Sequence, residues 1–182
     1  EFKISRSLRK TLSRGHYQVR LDHDFSAVIR ACARTARAGQ NGTWITDDMN
    51  DAYVRLHELG WAHSVETYAA GELVGGLYGL AIGRMFYGES MFAHRTDASK
   101  VALAHLVARL KHSGYLLLDT QFVTPHLLGF GVEEIGRDEF QLRLAAALEV
   151  DAQFGSAGGA AGAAGAAAWA GVDVLQLITQ TS

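Results

Sequence analysis

The sequence predicts a single domain of the α/β (α+β) class over residues 1–150, with strands and helices arranged on one sheet. Apolar strand-like runs are interspersed with segments whose apolar residues recur at helical spacing. With 182 residues, 48% of them hydrophobic, the chain is also long and apolar enough to bury one substantial core.

Helix and strand signals follow one another through the first half of the chain. A short helix is expected near Ser5, a second over residues 25–36, and a third from Thr46 to its stop at Gly60. Three strands are then predicted, at residues 63–68, 72–78 and 80–87. Glycines within the last two strands indicate bulges or close backbone approach; they are Gly75, Gly76, Gly79 and Gly83.

The second half continues with a helix that opens at Asp97 and ends at Gly114. The apolar run at 115–118 predicts a buried strand that reaches Gln121. A helix-like segment at 126–128, a final strand and an amphipathic segment at 138–148 complete the domain. Residues 151–168 are predicted to be a linker, because 155–168 are Gly and Ala with a single Ser. The apolar tail 169–182 is expected to dock, with a role that its sequence does not indicate.

Composition excludes several classes of protein. The lone Cys32 rules out an intramolecular disulfide and fits a reducing compartment. No apolar segment has the roughly 20 residues needed to cross a bilayer, so no membrane partner and a cytoplasmic location are expected. The histidines lack zinc-ligand spacing, so no metal is expected. No glycine-rich phosphate loop and no nucleophile elbow is present, which argues against nucleotide-binding folds and serine hydrolases.

Basic residues crowd the first twenty positions, although the formal net charge of the chain is -2. Arg6, Arg9 and Lys10 follow Ser5 in the first predicted helix, where guanidinium groups and backbone N–H groups could bind a phosphate. A solvated basic face with no ligand is the alternative interpretation.

Polar side chains at two strand ends form the candidate chemical site. Glu89 lies in the segment 88–92, and Asp119 and Gln121 follow the apolar run at 115–118. At a strand's two-residue period, Asp119 and Gln121 would point to the same side. Two acids beside an apolar hollow could orient a cationic amine. The structural alternative is a buried ion pair or hydrogen-bond network of these three residues that only fixes the sheet, with Lys100 or Arg84 as candidate partners.

A series of short motifs runs through the chain over about residues 2 to 144. The motifs are, in order, Ser5-Arg6-Ser7-Leu8-Arg9, Trp44-Ile45, Leu56-His57-Glu58-Leu59-Gly60, Ala62-His63-Ser64-Val65-Glu66, Leu73-Val74-Gly75-Gly76-Leu77-Tyr78-Gly79, Gly88-Glu89-Ser90-Met91-Phe92, Ala98-Ser99-Lys100, Asp119-x-Gln121 and His126-Leu127. Each motif is weak by itself, but the ordered series is specific and resembles the leucyl/phenylalanyl-tRNA–protein transferase family. Family members carry an additional N-terminal domain, and this sequence is expected to begin after it.

The resemblance implies a GNAT-like acyltransferase fold, with a mixed central sheet flanked by helices. It implies a bacterial cytoplasmic aminoacyltransferase that uses no cofactor. Such an enzyme moves Leu or Phe, with Met as a further candidate, from aminoacyl-tRNA to the N-terminal Arg or Lys of a protein. The product is an N-degron, which marks the acceptor for degradation under the N-end rule.

The resemblance also assigns roles to particular residues. Glu89, Asp119 and Gln121 match the family's catalytic positions, and Trp44 matches the tryptophan that contacts the terminal adenosine of the tRNA. The wall of the aminoacyl pocket corresponds to Leu77, Phe86, Met91, Leu106 and Leu118. Arg6, Arg9 and Lys10 are expected to hold the acceptor stem by its phosphates.

Two other functions are compatible with the sequence. The chain could be a transferase that aminoacylates a small peptide or metabolite instead of a protein. It could also be a module that binds tRNA or an N-terminal peptide without turnover, although the intact Glu89, Asp119 and Gln121 speak against this alternative.

Overall fold

Five strands form one mixed sheet in the computed structural model, which describes residues 2–35, 45–121, 123–150, 152–154 and 171–179. In chain order the elements are α1 (Arg6–Arg14), β1 (Gln18–Leu21), α2 (Phe25–Arg34), α3 (Asp47–Glu58), β2 (Ala62–Ala69), β3 (Glu72–Ile82), β4 (Met85–Ala93), α4 (Ala98–His112), β5 (Leu117–Asp119), α5 (Pro125–Leu128), α6 (Arg137–Leu148) and α7 (Gly171–Thr179). The strand order is β1-β2-β3-β4-β5, antiparallel up to β4 and parallel between β4 and β5. The predicted fold class, a mixed sheet with flanking helices, is therefore confirmed.

The sheet separates two apolar clusters. Helices α1, α4 and α7 pack on one face and form what we call the α4-side core, which includes Leu77 of β3 and Phe86 of β4. Helix α2 and the apolar side chains of α3 cover the other face and form the α2-side core, which includes Tyr78 and Phe92. Leu77 and its neighbour Tyr78 belong to different cores because successive strand residues point to opposite faces.

Close backbone contacts confirm the prediction made from the strand glycines. A Cβ atom on Gly75 would lie 2.5 Å from the Cβ of Ala98, because the first turn of α4 lies directly on β3. On Gly79 it would lie 2.1 Å from the carbonyl oxygen of Tyr87. Neither position has space for a side chain, so glycine is required there to bring α4 and β4 against β3.

Three strand predictions were wrong. The stretch 80–87 is not one strand, because Gly83 turns the chain with a φ of +56° between β3 and β4. The final strand expected before α6 is absent, since residues 129–136 form turns and irregular backbone. β5 ends at Asp119 rather than at Gln121. β1 was not predicted, because its four residues give too short a pattern to recognise.

The C-terminal tail contributes a helix to the core. In α7, Val174, Leu175 and Ile178 are buried in the α4-side core, and the Lys111 Nζ donates a hydrogen bond of 2.9 Å to the Ile178 carbonyl. From the predicted linker, Phe154 stacks on Phe86 with ring centroids 5.3 Å apart. The rest of that linker, at residues 151 and 155–168, lies outside the described residues.

Candidate functional site

The candidate site lies where β4 and β5 separate. The two strands pair in parallel at only three positions, from Met85 with Leu117 to Tyr87 with Asp119. Beyond Tyr87, β4 continues along β3 as far as Ala93, whereas β5 has ended. Within the described residues, the edge of β4 that carries Glu89 therefore has no neighbouring strand on the β5 side.

A β-bulge in β4 sets the position of Glu89. Tyr78 of β3 pairs with Ser90, and the next residue, Gly79, pairs with Gly88, so Glu89 is the extra residue without a partner on β3. Such bulges redirect side chains and are frequent beside active sites. The bulge thus brings the half-buried Glu89 carboxylate toward the gap between the strands.

A tight turn sets the position of Gln121. Its backbone N–H donates a hydrogen bond of 2.7 Å to Asp119 Oδ1, and its φ of +62° lies in the left-handed region. A carboxylate that accepts from the N–H two residues later pulls the chain out of the sheet. The expectation that Asp119 and Gln121 follow strand alternation was therefore wrong, because Asp119 itself ends the strand.

Glu89 and Gln121 join the two strand ends through their side chains. Gln121 Nε2 donates a hydrogen bond of 2.9 Å to Glu89 Oε2. Since an ionised carboxylate can only accept, the amide must direct its nitrogen to Glu89. Its oxygen, Oε1, can then accept a hydrogen bond from a ligand.

Tyr53 of α3 is a second partner of Glu89. Burial raises the pKa of the Tyr53 hydroxyl, and the Glu89 carboxylate raises it further through its charge and a hydrogen bond from that hydroxyl. The Tyr53 ring also meets the Tyr78 ring edge-on, at 5.3 Å between centroids. Tyr53 therefore lies close enough to interact with the carboxylate that accepts the hydrogen bond of Gln121.

The ion-pair form of the structural alternative does not match these contacts, whereas its hydrogen-bond-network form agrees with the bonds of Gln121 to Glu89 and Asp119. Lys100, one proposed ion-pair partner, instead lies 2.7 Å from Asp97. Arg84, the other proposed partner, places its guanidinium against Gly114. A Cβ atom on that glycine would lie 3.0 Å from Arg84 Nη2. The groups at Glu89 are the Gln121 amide and the Tyr53 hydroxyl, both neutral. A cationic ligand could therefore approach Glu89 without displacing Lys100 or Arg84.

The five predicted pocket residues converge in the α4-side core. Leu77 and Met91 are register partners on β3 and β4, and Phe86 is the register partner of Leu118. Leu77, Phe86 and Leu106 are buried, whereas Met91 and Leu118 are half-buried and pack against them. The five residues that the family resemblance assigned to the pocket wall therefore form one contiguous apolar cluster directly behind the gap between β4 and β5.

A cavity of about 1030 Å³ lies against β5. Consecutive residues 115–121 line it, including Leu118, Asp119 and Gln121, but no residue of β4 does. Its other walls come from the end of α4, residues 130–135 and α6. The cavity is thus on the free side of β5 and shares Asp119 and Gln121, but not Glu89, with the polar site.

The expected tRNA-binding residues lie on one exposed helix face. Arg6, Arg9 and Lys10 are exposed on α1, while Leu8 and Leu12 on its opposite face are buried. The Ser5 side chain caps the helix by accepting from the Leu8 N–H at 3.2 Å. Trp44, expected at the terminal adenosine, lies outside the described residues.

Sequence reasoning missed two features of this region. Tyr53, which is half-buried, was assigned to the apolar stripe of α3, and the need of its hydroxyl for a partner was overlooked. The wall formed by residues 130–135 was assigned partly to a strand. Among the described residues no helix is long and apolar enough to span a bilayer, and no three metal-ligating side chains are placed to hold an ion.

Known proteins resemble most of this chain in sequence. The sequence model of the family described as leucyl/phenylalanyl-tRNA protein transferase matches residues 1–145. A relative so named from Dechloromonas aromatica is 61% identical over 146 residues, which are 80% of this chain and 62% of that protein. The one from Maricaulis maris is 48% identical over 182 residues, 100% of this chain and 80% of that protein. The chain thus spans less than two thirds of the first of these relatives.

Solved structures give weaker similarities. An aminoglycoside acetyltransferase from an uncultured soil metagenomic sample aligns with a TM-score of 0.46 and 13% identity, covering 75% of this chain and 89% of that one. A ribosomal-protein-alanine N-acetyltransferase from Brucella melitensis aligns with a TM-score of 0.41 and 13% identity, covering 57% and 78%. The sequence relationship is decisive, and the chain belongs to the leucyl/phenylalanyl-tRNA protein transferase family.

Proposed function

We propose that this chain transfers Leu or Phe from aminoacyl-tRNA to the N-terminal Arg or Lys of an acceptor protein. Family membership supports the reaction class and the need for a charged tRNA and a protein acceptor. The observation that carries the proposal is the bond from Gln121 to Glu89, which leaves a fixed amide oxygen beside two carboxylates.

The reaction is direct aminolysis of an ester. The acceptor's α-amine attacks the carbonyl carbon that links the amino acid to the tRNA, so a C–N bond forms and the C–O ester bond breaks. The released tRNA hydroxyl takes up the proton that the amine loses. The ester supplies the driving force, so the balance requires no cofactor.

Gln121 positions the attacking amine. Its Oε1 accepts a hydrogen bond from the amine, while its Nε2 is held by Glu89 and its backbone N–H by Asp119. An amide is too weak a base to remove the proton, so its contribution is alignment, which can supply much of the rate acceleration. Asp119 and Glu89 favour a cationic acceptor and disfavour a neutral or acidic one.

The apolar cluster behind this gap binds the side chain of the transferred amino acid. Leu77, Phe86 and Leu106 give it a buried floor, and the half-buried Met91 and Leu118 lie nearest the opening. A cluster without polar atoms favours Leu and Phe over polar amino acids, since an unpaired polar group buried there costs about 1–3 kcal/mol. Trp44 would contact the terminal adenosine, and Arg6, Arg9 and Lys10 the phosphates of the acceptor stem.

Single substitutions at the polar site test the proposal. Asp119→Asn and Gln121→Ala should cut transfer of Leu from leucyl-tRNA to an Arg-starting peptide by about a hundredfold or more, with tRNA binding nearly intact. Gln121→Glu is the sharper variant, because it keeps the shape and sets a second carboxylate against Glu89. Gln141→Ala, an exposed glutamine on α6, is the control. Full transfer by either of the first two variants would refute the assignment.

The same assay separates the other functions. Consumption of the ester only with a non-peptide acceptor would indicate a small-molecule transferase, and binding without ester loss would indicate a binding module. We further infer a cytoplasmic, bacterial role in the N-end rule, in which the added residue marks the acceptor for degradation. The cytoplasm holds both of the components that this role requires, the charged tRNA and the bacterial degradation machinery.

A further inference from the structure

We propose that the cavity beside β5 binds the acceptor protein's N-terminal segment in extended form, from its second residue onward. This inference rests on the proposed function, because it locates the part of the acceptor that follows the reacting amine. It adds a second recognition surface to the polar site at Glu89, Asp119 and Gln121.

The cavity is continuous with the polar site and too large for that site alone. Asp119 and Gln121 line the cavity and also hold the proposed amine position. Its volume of about 1030 Å³ is at the upper end of pockets that enclose a whole ligand. A chain whose amine lies at Gln121 can therefore continue directly into this space.

The free side of β5 offers an extended peptide its backbone partners. Among the described residues, β5 is an edge strand of the sheet and pairs only with β4. Edge strands present unpaired N–H and C=O groups, and extended peptides are commonly bound by adding a strand to such an edge. Since β5 has only three residues, the pairing extends over two or three residues of the acceptor.

The charges around the cavity favour a cationic peptide over RNA. Of the basic lining residues, Arg143 pairs with Glu139, so Lys111, which donates to the neutral Ile178 carbonyl, and Arg137 are the two cations without a carboxylate partner in the described wall. The acidic lining residues are Asp119, Glu133 and Glu134, and the last two lie at the rim. Three carboxylates thus face two cations, a balance that favours an acceptor with basic residues after its first position over a row of phosphates.

Apolar side chains complete the match to an extended segment. Phe2 and Phe130, whose rings stack at 5.2 Å between centroids, line the cavity together with Phe140 of α6. A strand presents alternate side chains to one side. A basic side chain could thus face Glu133 and Glu134 while its neighbours contact the aromatic wall.

Steady-state transfer from leucyl-tRNA to two peptides tests the inference in the full chain. The peptides are Arg-Ala and Arg-Ala-Lys-Ala-Lys, both as amides. We expect the longer peptide to have a KM about three- to tenfold lower than the shorter. The Glu133→Gln/Glu134→Gln variant should remove most of this ratio, whereas Glu58→Gln/Glu149→Gln, which removes two exposed carboxylates outside the cavity, should preserve it. N-methylation of alternate peptide bonds should weaken binding at every second position only.

The outcomes separate this inference from the proposed function. Transfer to both peptides with equal KM, and no effect of the cavity variant, would overturn the inference and leave the function standing. A change in tRNA affinity, with the KM ratio unchanged, would assign the cavity to RNA and also overturn the inference. Absence of transfer to any Arg-starting peptide would instead overturn the function itself, and the inference with it.

Discussion

The carboxyl group of Glu66 provides a quantitative test of the fold. It is fully buried, and its Oε1 accepts hydrogen bonds from the Ser64 hydroxyl at 2.6 Å and from the N–H groups of His23 and Asp24 at 3.0 and 3.3 Å. Its Oε2 is buried without a hydrogen-bond partner among the described residues. Burial outweighs the three hydrogen bonds and raises the pKa of Glu66 from 4.5 to about 7.

The direction of the stability change follows from that pKa. The folded chain binds the Glu66 proton more tightly than the unfolded chain does, so protonation stabilises the fold. This contribution is fully present below pH 4.5 and is lost as the pH rises through about 7. The gap between the two values corresponds to roughly 3 kcal/mol of unfolding free energy.

A buried histidine acts in the opposite direction, so the wild-type curve alone cannot isolate Glu66. Burial, and then the charge of Arg109, lower the pKa of His105 from 6.5 to about 4. The unfolded chain therefore binds this proton more tightly, and the His105 contribution to stability is lost as the pH falls from 6.5 through about 4. A difference between two variants that both keep His105 cancels this contribution.

The substitution Glu66→Gln supplies that difference. The amide keeps an acceptor for the donors at Ser64, His23 and Asp24 but does not titrate. Its Nε2 replaces an oxygen that has no partner among the described residues, which costs about 1–3 kcal/mol at every pH. The unfolding free energy of the wild type minus that of the variant should therefore fall by roughly 3 kcal/mol between about pH 4.5 and pH 8.

Urea unfolding followed by circular dichroism measures this quantity at each pH, by linear extrapolation to water. The Glu149→Gln variant, which changes an exposed carboxylate, is the control and should give a flat difference curve. A Glu66 difference curve that is flat within about 0.5 kcal/mol would refute the reasoning, because it would mean that the buried carboxyl keeps an ordinary pKa.

Three further perturbations test the site and its supports. Tyr53→Phe should lower the transfer rate about tenfold without changing tRNA affinity, because Glu89 loses the hydrogen bond of the Tyr53 hydroxyl; an unchanged rate would show that Tyr53 does not position Glu89. Gly79→Ala should reduce the unfolding free energy by about 1–3 kcal/mol, since its Cβ would lie 2.1 Å from a carbonyl oxygen, whereas Gly136→Ala, with open space around it, should change it far less. Arg6→Gln/Arg9→Gln should weaken tRNA binding and lower the salt-dependence slope by about one for each phosphate that is no longer neutralised; an unchanged slope would assign α1 to a solvated face.

Much of the fold could be predicted because it depends on local patterns. α4 was predicted from Asp97 to Gly114 and runs over Ala98–His112, since its apolar spacing and its glycine stop are both local signals. The apolar cluster behind the site was identified from residues far apart in sequence only through the family motifs. Spacing alone could not have brought Leu106 of α4 beside Phe86 of β4.

The geometry of the polar site could not be predicted from alternation. Glu89 departs from the strand period because it is the extra residue of a bulge, and Gln121 because its backbone turns with a φ of +62°. The bulge depends on the neighbouring strand, since Gly79 of β3 lies against Tyr87, and the turn depends on the Asp119 carboxylate accepting from the Gln121 N–H instead of facing a neighbouring strand. A local pattern therefore predicted that these polar residues lie near the strand ends but not how they face one another.

The hydrogen bond between Glu89 and Gln121 also links the ends of two strands that separate. β4 and β5 pair at only three positions, so the backbone holds their diverging ends together weakly. The Glu89 to Gln121 hydrogen bond bridges the gap that the missing pairs leave. A substitution at Glu89 would thus remove both a group that attracts the acceptor and a link between the strands. Two variants at Gln121 test the link. Gln121→Ala removes the hydrogen bond to Glu89, whereas Gln121→Glu replaces it with repulsion between two carboxylates, which drives the strand ends apart. If the bridge only held the fold together, Gln121→Ala would retain transfer wherever the fold is intact, and loss of transfer by a folded Gln121→Ala variant would show that the Gln121 side chain contributes to the reaction itself.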